Sequence, residues 1–270
     1  MSKLDLNNKI AVVTGASDGI GKQIAITLAQ EGAQVYALAR SADKLQALSE
    51  QVSGRIIGVP VDLCDAEASE KAFADINAKA ATIDVLVNNV GGGTFKPLHK
   101  QTRAEVLFAV DLPYRAAMQA CHAFVPRMRE QRSGYIVNLT SPAGFVPFPY
   151  MAPYVASRHA MAGLSESLYE ELKPLGINSL LFCPAEVNTG YFERNDASMD
   201  WYPKASGIFP VLEPEQVATQ ILRSMQKRER RKIYPLSLSL FVRAYMLMPR
   251  TSVLLLRLVG LWRPRAKVES

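Results

Sequence analysis

The chain has 270 residues, 49% of them hydrophobic and 21% charged. That length suits one large α/β domain or at most two small ones, and the composition excludes a disordered or collagen-like chain. The formal net charge of +6 is unevenly placed: residues 223–270 hold 12 Lys and Arg against 2 Asp and Glu, so the first 222 residues carry a net of −4.

In chain order, residues 10–14 are a short aliphatic run suited to a buried strand, followed by a glycine-containing turn and a helical pattern over 21–31. A second strand at 34–39 precedes a helix over 42–51, and a third at 55–61 precedes a helix over 66–80. Residues 85–88 form a fourth strand. The helical stretch 103–129 carries Pro113, which points to a break there. A fifth strand at 135–139, a helix at 152–172 and a sixth strand at 178–182 follow. Residues 185–212, rich in aromatics, Pro and small polar residues, read as a long irregular loop, and such loops are usually functional in an α/β domain. A helix at 214–227 and a short strand at 232–234 close the core. Strands separated by helices of this length imply βαβ crossovers and a parallel sheet. Near-continuous apolar strands, such as Ile56-Ile57-Gly58-Val59 and Val85-Leu86-Val87, are what a sheet covered on both faces requires.

The first strand runs into Thr14-Gly15-Ala16-Ser17-Asp18-Gly19-Ile20-Gly21 and then a helix. Glycines there permit a tight turn and close backbone approach, and the helix N-terminus offers free N–H groups and a positive dipole end to a pyrophosphate. A glycine trio alone says little; this one sits after a strand and before a helix, where the mechanism needs it. A tight turn without a ligand is the plain alternative.

With this spacing of Gly15, Gly19 and Gly21 the sequence resembles the short-chain dehydrogenase/reductase family, and the resemblance continues in order over roughly residues 8–235. Asp62-Leu63 follows the third strand, Asn88-Asn89-Val90-Gly91 ends the fourth, and Ser141 follows the fifth. Tyr154 and a basic residue at 158 open the next long helix, and Pro184-Ala185-Glu186-Val187-Asn188-Thr189 follows the sixth strand. The resemblance implies an α/β fold: a single Rossmann-type doubly wound parallel sheet with helices on both faces, here with a helical C-terminal extension. Residues 1–235, including the substrate loop 185–212, would form the dinucleotide-binding catalytic domain, and 236–270 a basic amphipathic extension. The cofactor would be held by Gly15, Ser17, Asp18, Gly19, Ile20, Gly21, Arg40, Asp62, Leu63, Asn89, Gly91, Tyr154, Arg158, Pro184, Val187 and Thr189.

At the end of the second strand an acidic side chain accepts hydrogen bonds from free ribose hydroxyls, whereas an arginine pairs with a 2′-phosphate. Ala39 stands where NAD-preferring relatives carry Asp, and Arg40 follows it. A planar guanidinium suits a phosphate, so NADP(H) is favoured over NAD(H). Asp18 argues the other way, since many NADP-dependent relatives carry a basic residue there; its carboxylate can instead cap the helix. A solvated surface residue is the plain alternative for Arg40.

In this family a Tyr is the general acid/base, a Ser orients the substrate carbonyl, and a Lys one helical turn after the Tyr tunes it and holds the nicotinamide ribose. Ser141 and Tyr154 stand at the family's spacing, whereas Tyr150 lacks a basic partner four residues on. The residue after Tyr154 by one turn is Arg158, not Lys. An i,i+4 step keeps its charge on the same helix face, yet Arg is planar and permanently charged and cannot join a proton relay. Asp111 stands where relatives have an Asn that links a buried water to the Lys, and an Asp111–Arg158 ion pair would make the two departures compensating. Ala185, where the family commonly has Gly, is a third and milder departure.

His99, His122 and His159 are scattered without ligand spacing, so no metal site is expected. Cys64, Cys121 and Cys183 lie far apart, which fits small core residues and a reducing, cytoplasmic setting. The N-terminus lacks the apolar stretch of a signal peptide, and no uncharged run reaches the ~18–20 residues of a transmembrane helix. Within the long loop, Tyr191, Phe192, Met199, Trp201, Tyr202 and Phe209 point to a lipophilic ketone or alcohol, or equally to a packed lid or oligomer contact. In the tail, Arg243, Arg250 and Arg257 recur every seven residues among Leu, Val, Met, Phe and Tyr, and Pro249 should divide it into two helices. Two readings stay open: peripheral contact with anionic lipid through residues 236–262, or packing on the core or a partner subunit. Nucleic acid is not an expected partner.

Together these features predict an NADP(H)-dependent oxidoreductase interconverting a ketone and a secondary alcohol on a lipophilic substrate, with Ser141, Tyr154, Arg158 and Asp111 in its catalytic group. Relatives imply a homo-dimer or tetramer. The alternative is a catalytically impaired nucleotide-binding scaffold or sensor at a membrane surface.

Overall fold

Aliphatic runs apolar on both sides become neighbouring strands of one sheet, because only burial under helices on both faces removes all their side chains from water. The computed structural model describes residues 5–52, 54–194 and 199–262. Its strands are β1 (Ile10–Thr14), β2 (Gln34–Ala39), β3 (Ile56–Pro60), β4 (Val85–Asn88), β5 (Gly134–Leu139), β6 (Ile177–Pro184) and β7 (Arg231–Tyr234). They pair in the order β3-β2-β1-β4-β5-β6-β7, every pairing parallel. The order reverses at β1, whose neighbours are β2 and β4, and a crevice opens there beyond the carboxyl ends of the strands.

The helices are α1 (Gly19–Gln30), α2 (Ala42–Gln51), α3 (Ala66–Lys79), α4 (Arg103–Val110), α5 (Ala116–Gln131), α6 (Ala152–Leu172), α7 (Tyr191–Arg194), α8 (Pro214–Gln226), α9 (Leu236–Leu247) and α10 (Pro249–Leu258). One face of the sheet is covered by Ile24 and Leu28 of α1, Leu45 and Leu48 of α2, and Val217 and Ile221 of α8. Phe73 of α3, Phe124 and Met128 of α5, and Leu172 of α6 cover the other, with Phe73 and Phe124 edge to face at 5.3 Å. The doubly wound α/β fold with a helical C-terminal part is the expected one.

Two details differ from the sequence pattern. The stretch 103–129 is not severed at Pro113: a π-helical turn over Asp111–Arg115 joins α4 to α5. Proline has no N–H to give to the helix ladder, and a widened turn accommodates that loss without ending the helix. The loop after β6 is also less irregular than its composition suggests, carrying α7 and single 3₁₀ turns at Met199–Trp201 and Lys204–Ile208; residues 195–198 lie outside the described part. The tail divides at Pro249 as expected, with α9 and α10 bent by 118°. Leu238 and Val242 of α9 join the core. No single helix among the described residues is long and apolar enough to cross a membrane. Arg263, Arg265 and Lys267, the last part of the basic tail, lie outside the described residues.

Candidate active site

The turn after β1 is locked to the end of β4 by side chains rather than by a ladder. Thr14 Oγ1 donates to the Val87 carbonyl at 3.2 Å and accepts from the Asn89 and Val90 amides at 3.0 and 3.2 Å. Asn89 Nδ2 donates to the Thr14 and Gly15 carbonyls at 3.0 and 3.1 Å. Gly15 sits at φ +67°, a conformation that favours glycine, and a Cβ on Gly21 would overlap the Gly15 carbonyl and Asn89 Nδ2. Asp18 caps α1, accepting from the Gly19 amide at 2.7 Å. Thr189, on the loop after β6, reaches over this turn: a Cβ on Gly19 would stand 2.9 Å from its methyl group. The N-terminus of α1, Gly15, Ser17, Ile20 and Thr189 thus border one wall of a cavity of about 420 Å³.

At the same end of that cavity Arg40 is exposed beyond β2, beside Ser41 and Lys44. Arg40 makes no ion pair among the described residues. Lys44, which the sequence pattern did not single out, contacts Asp18 at 3.1 Å and brings a second cation to this end. Asp62 accepts from the Cys64 amide at 3.0 Å and, with buried Leu63, borders the same wall.

The other end is built by α6 and the ends of β5 and β6. Tyr154 and Arg158, four residues apart on α6, are both buried, and the Arg158 guanidinium carbon lies 4.8 Å from the Tyr154 ring centroid. Arg158 Nη1 donates to the Leu139 carbonyl at 3.1 Å, and its Nη2 lies so close to Gly91 that a Cβ there would clash with it. Its Nε is buried without a hydrogen-bond partner. Ser141 Oγ accepts from the Ala143 amide at 3.1 Å and faces the cavity together with Tyr154, Arg158, Pro184 and Val187. The structure therefore gathers every cofactor-binding candidate, with Ser141, around one cavity, except that Gly21 acts behind the turn.

Asp111 is the exception among the catalytic candidates. The expected ion pair with Arg158 is absent from the described residues; Asp111 Oδ1 pairs instead with Arg115 Nε at 3.3 Å. The π-helical turn places these two on one helix face, away from the cavity lining. The structure thus does not join positions 111 and 158 by an ion pair: Asp111 turns to Arg115, and Arg158 to the Leu139 carbonyl.

An aromatic group encloses Tyr154. Phe95 meets it edge to face at 5.2 Å, Tyr202 stacks on Phe95 at 5.7 Å, and Phe192 meets Tyr202 at 4.9 Å. Enclosure and the adjacent Tyr154 phenol hold the Tyr191 hydroxyl protonated well above the ordinary phenol range. Tyr150, at φ +65°, packs on Trp201 at 4.9 Å and takes no part in the cavity wall. Phe95, Phe148 and Lys44 were missed from the sequence; only Lys44 left a signal, standing one turn into the helix that follows Arg40.

These residues fit a nicotinamide dinucleotide: a glycine turn at a helix N-terminus, cations beside that turn beyond β2, and a buried guanidinium with an unused donor beside Tyr154. Sheet, turn and Tyr/Arg pair together define a dinucleotide-binding oxidoreductase. The family model for short chain dehydrogenases matches residues 9–200, and the chain belongs to the short-chain dehydrogenase/reductase family, whose members use NAD(P). It is 31% identical over 230 residues to a 3-ketodihydrosphingosine reductase of Bacteroides thetaiotaomicron, covering 84% of this chain and 79% of that protein. It is 33% identical over 197 residues to a 3beta-hydroxysteroid dehydrogenase of Mediterraneibacter gnavus, covering 72% and 71%. Among solved structures, a short-chain dehydrogenase from Streptomyces avermitilis matches with a TM-score of 0.80 at 26% identity, covering 96% of this chain and 98% of that one. One from Sphingobium yanoikuyae in complex with NADPH matches with a TM-score of 0.78 at 25% identity, covering 92% and 95%.

Proposed function

We propose that the protein is an NADP(H)-dependent oxidoreductase that interconverts a ketone and a secondary alcohol on a lipophilic substrate. The observation that carries this reading is the buried Arg158, its charge against the Tyr154 ring and its Nε unpaired, between a phosphate turn and an aromatic chamber. Bound nicotinamide supplies or removes the hydride at the carbonyl carbon. Tyr154 gives or takes the hydroxyl proton at its phenol oxygen, and Ser141 holds the substrate oxygen. Arg158 keeps a fixed positive charge beside the proton-exchanging group and donates to the ribose hydroxyls. Asp111 has no direct part in this scheme, having turned to Arg115.

Arg40 supports the phosphorylated cofactor, because a cation without a carboxylate partner among the described residues is suited to a 2′-phosphate at the ribose end, and Lys44, paired with Asp18, adds positive charge beside it. Asp18 does not oppose it, since its carboxylate is engaged by the α1 cap and Lys44. Phe95, Phe148, Phe192, Tyr202 and Phe209 line the substrate end, and the similarity to a 3-ketodihydrosphingosine reductase and a 3beta-hydroxysteroid dehydrogenase supports a lipophilic substrate. Assembly into a dimer or tetramer belongs to the same reading, supported by the shallow groove of Met118, Val125, Leu164 and Leu168 between α5 and α6.

NADPH oxidation against a panel of hydrophobic ketones, with Tyr154→Phe as control, tests the proposal. Turnover lost in Tyr154→Phe with NADPH binding retained is the expected result. The replacement of Lys by Arg158 favours one second reading, a nucleotide-binding scaffold or sensor. Tight NADPH binding without turnover, unrestored by Arg158→Lys, would establish that reading instead.

A further inference from the structure

The C-terminal helices have two unlike faces. Inward, Leu238 and Val242 of α9 and Leu256 of α10 are buried. Phe241 of α9 packs on Phe209 at 5.5 Å, Trp262 packs on Phe148 at 5.8 Å, and the Ala205 amide donates to the Leu261 carbonyl at 3.1 Å. Phe209, Phe148 and Ala205 all line the cavity, so this segment forms part of its rim.

Outward, Leu236, Leu240, Arg243 and Leu247 fall at steps of four, three and four residues, one face of α9. Along α10, Leu254 follows Arg250 by four residues, and Arg257 and Leu258 follow Leu254 by three and four, which again keeps them on one side of the helix. All eight are exposed, Leu247 by 81%, Leu258 by 73% and Leu236 by 71%. Met246, Met248, Leu255 and Val259 extend the apolar surface across the 118° bend. Leucines left this open to water cost free energy that a covering phase would recover.

Charge selects what covers them. Residues 236–262 contain no Asp or Glu, and Arg243, Arg250 and Arg257 make no ion pair among the described residues. A second copy docked face to face would bring six arginines together with no carboxylate between them, and like charges at an interface cost several kcal/mol. An anionic lipid surface offers what the face lacks, negative headgroups for the arginines and an acyl boundary for the leucines.

We propose that the outer face of α9 and α10 docks the protein on an anionic lipid bilayer, with the cavity rim at Phe148, Phe209 and Trp262 held beside the lipid. Docking stands independently of the catalytic reading.

Flotation of the full chain with phosphatidylcholine vesicles, with and without phosphatidylglycerol, tests the docking, and no substrate or turnover is needed. The wild type should float with the anionic vesicles and stay behind with phosphatidylcholine alone. Arg243→Gln, Arg250→Gln and Arg257→Gln together should weaken partitioning roughly 100-fold, from the free energy each arginine contributes near an anionic surface. Leu247→Asp with Leu258→Asp should abolish flotation while leaving NADPH binding unchanged, which certifies the fold. In a Trp201→Phe background, lipid brominated on its acyl chains should quench the one remaining tryptophan, Trp262. Failure of the wild type to float, or equal flotation of the arginine variant, overturns the docking. So does a dimer that forms without vesicles and is dissolved by Leu247→Asp, because a second copy then covers the face. Flotation without quenching of Trp262 overturns the placement of the rim.

Discussion

Replacing Arg158 by Met should separate function from stability, for a reason set by its surroundings. The side chain is only 6% exposed and faces no carboxylate among the described residues. Its charge is compensated by one carbonyl, Leu139 at 3.1 Å, and by the Tyr154 ring at 4.8 Å. A charge-assisted hydrogen bond contributes about 1.5–3 kcal/mol and a desolvated cation–π contact about 2 kcal/mol. Against these stands a desolvation cost of several kcal/mol for a buried ion. The terms nearly cancel, so Arg158→Met should change the unfolding free energy of the cofactor-free protein by less than about 2 kcal/mol. Its NADPH affinity and turnover should nevertheless fall at least ~100-fold, since a fixed charge and a ribose donor are lost together. Urea unfolding, NADPH fluorescence titration and ketone-dependent NADPH oxidation measure the three quantities. Arg158→Lys, which keeps the charge but not the planar fork, should retain more turnover than Arg158→Met. A loss of stability above ~3 kcal/mol with unchanged NADPH affinity would refute the reasoning and make Arg158 a structural residue.

Four other outcomes follow from particular contacts. Arg40→Ala should weaken NADPH binding about 10–100-fold while leaving NADH nearly untouched, because only the 2′-phosphate needs the guanidinium; equal losses for both cofactors would contradict this. Gly21→Ala should lower cofactor affinity and cost about 1–3 kcal/mol of stability, as its Cβ meets the Gly15 carbonyl and the Asn89 amide; a differential titration with and without NADPH checks both. Asp111→Asn should remove only a partly exposed Arg115 pair, about 0.3–0.5 kcal/mol, and its effects should add to those of Arg158→Lys within about 0.5 kcal/mol. A double-mutant cycle with a larger coupling would restore a link between these positions. Burial pushes the Cys121 thiol up to about 12 and also raises Cys183, so both stay protonated and unreactive at pH 8. A thiol reagent should then label at most Cys64 in the native protein and all three cysteines after unfolding.

Features whose meaning is local were legible in the chain. The strands are short apolar runs, and their burial needs no knowledge of the partner strand. The phosphate turn is a contiguous segment between a strand and a helix, and Tyr154 and Arg158 are set one turn apart by helix geometry alone. The direction of Asp111 was not legible, because it depends on a π-helical turn around Pro113 that rotates the side chain toward Arg115. Phe95 and Phe148 carried no pattern either; they meet Tyr154 and Trp262 from distant parts of the chain.

The sequence by itself determined the strand and helix series, the cofactor turn, the Tyr154–Arg158 pair and the confinement of the excess positive charge to the tail. Periodicity, capping and glycine chemistry act over a few residues and are written in order. The tertiary structure alone decided that Lys44 joins Asp18 and Arg40, that Asp111 leaves the site, and that aromatics from three segments enclose Tyr154. It also decided which face of the basic tail turns inward. Helical spacing places leucines and arginines on α9 and α10 but does not say which side meets the core; that choice belongs to Phe209, Phe148 and the sheet beneath them.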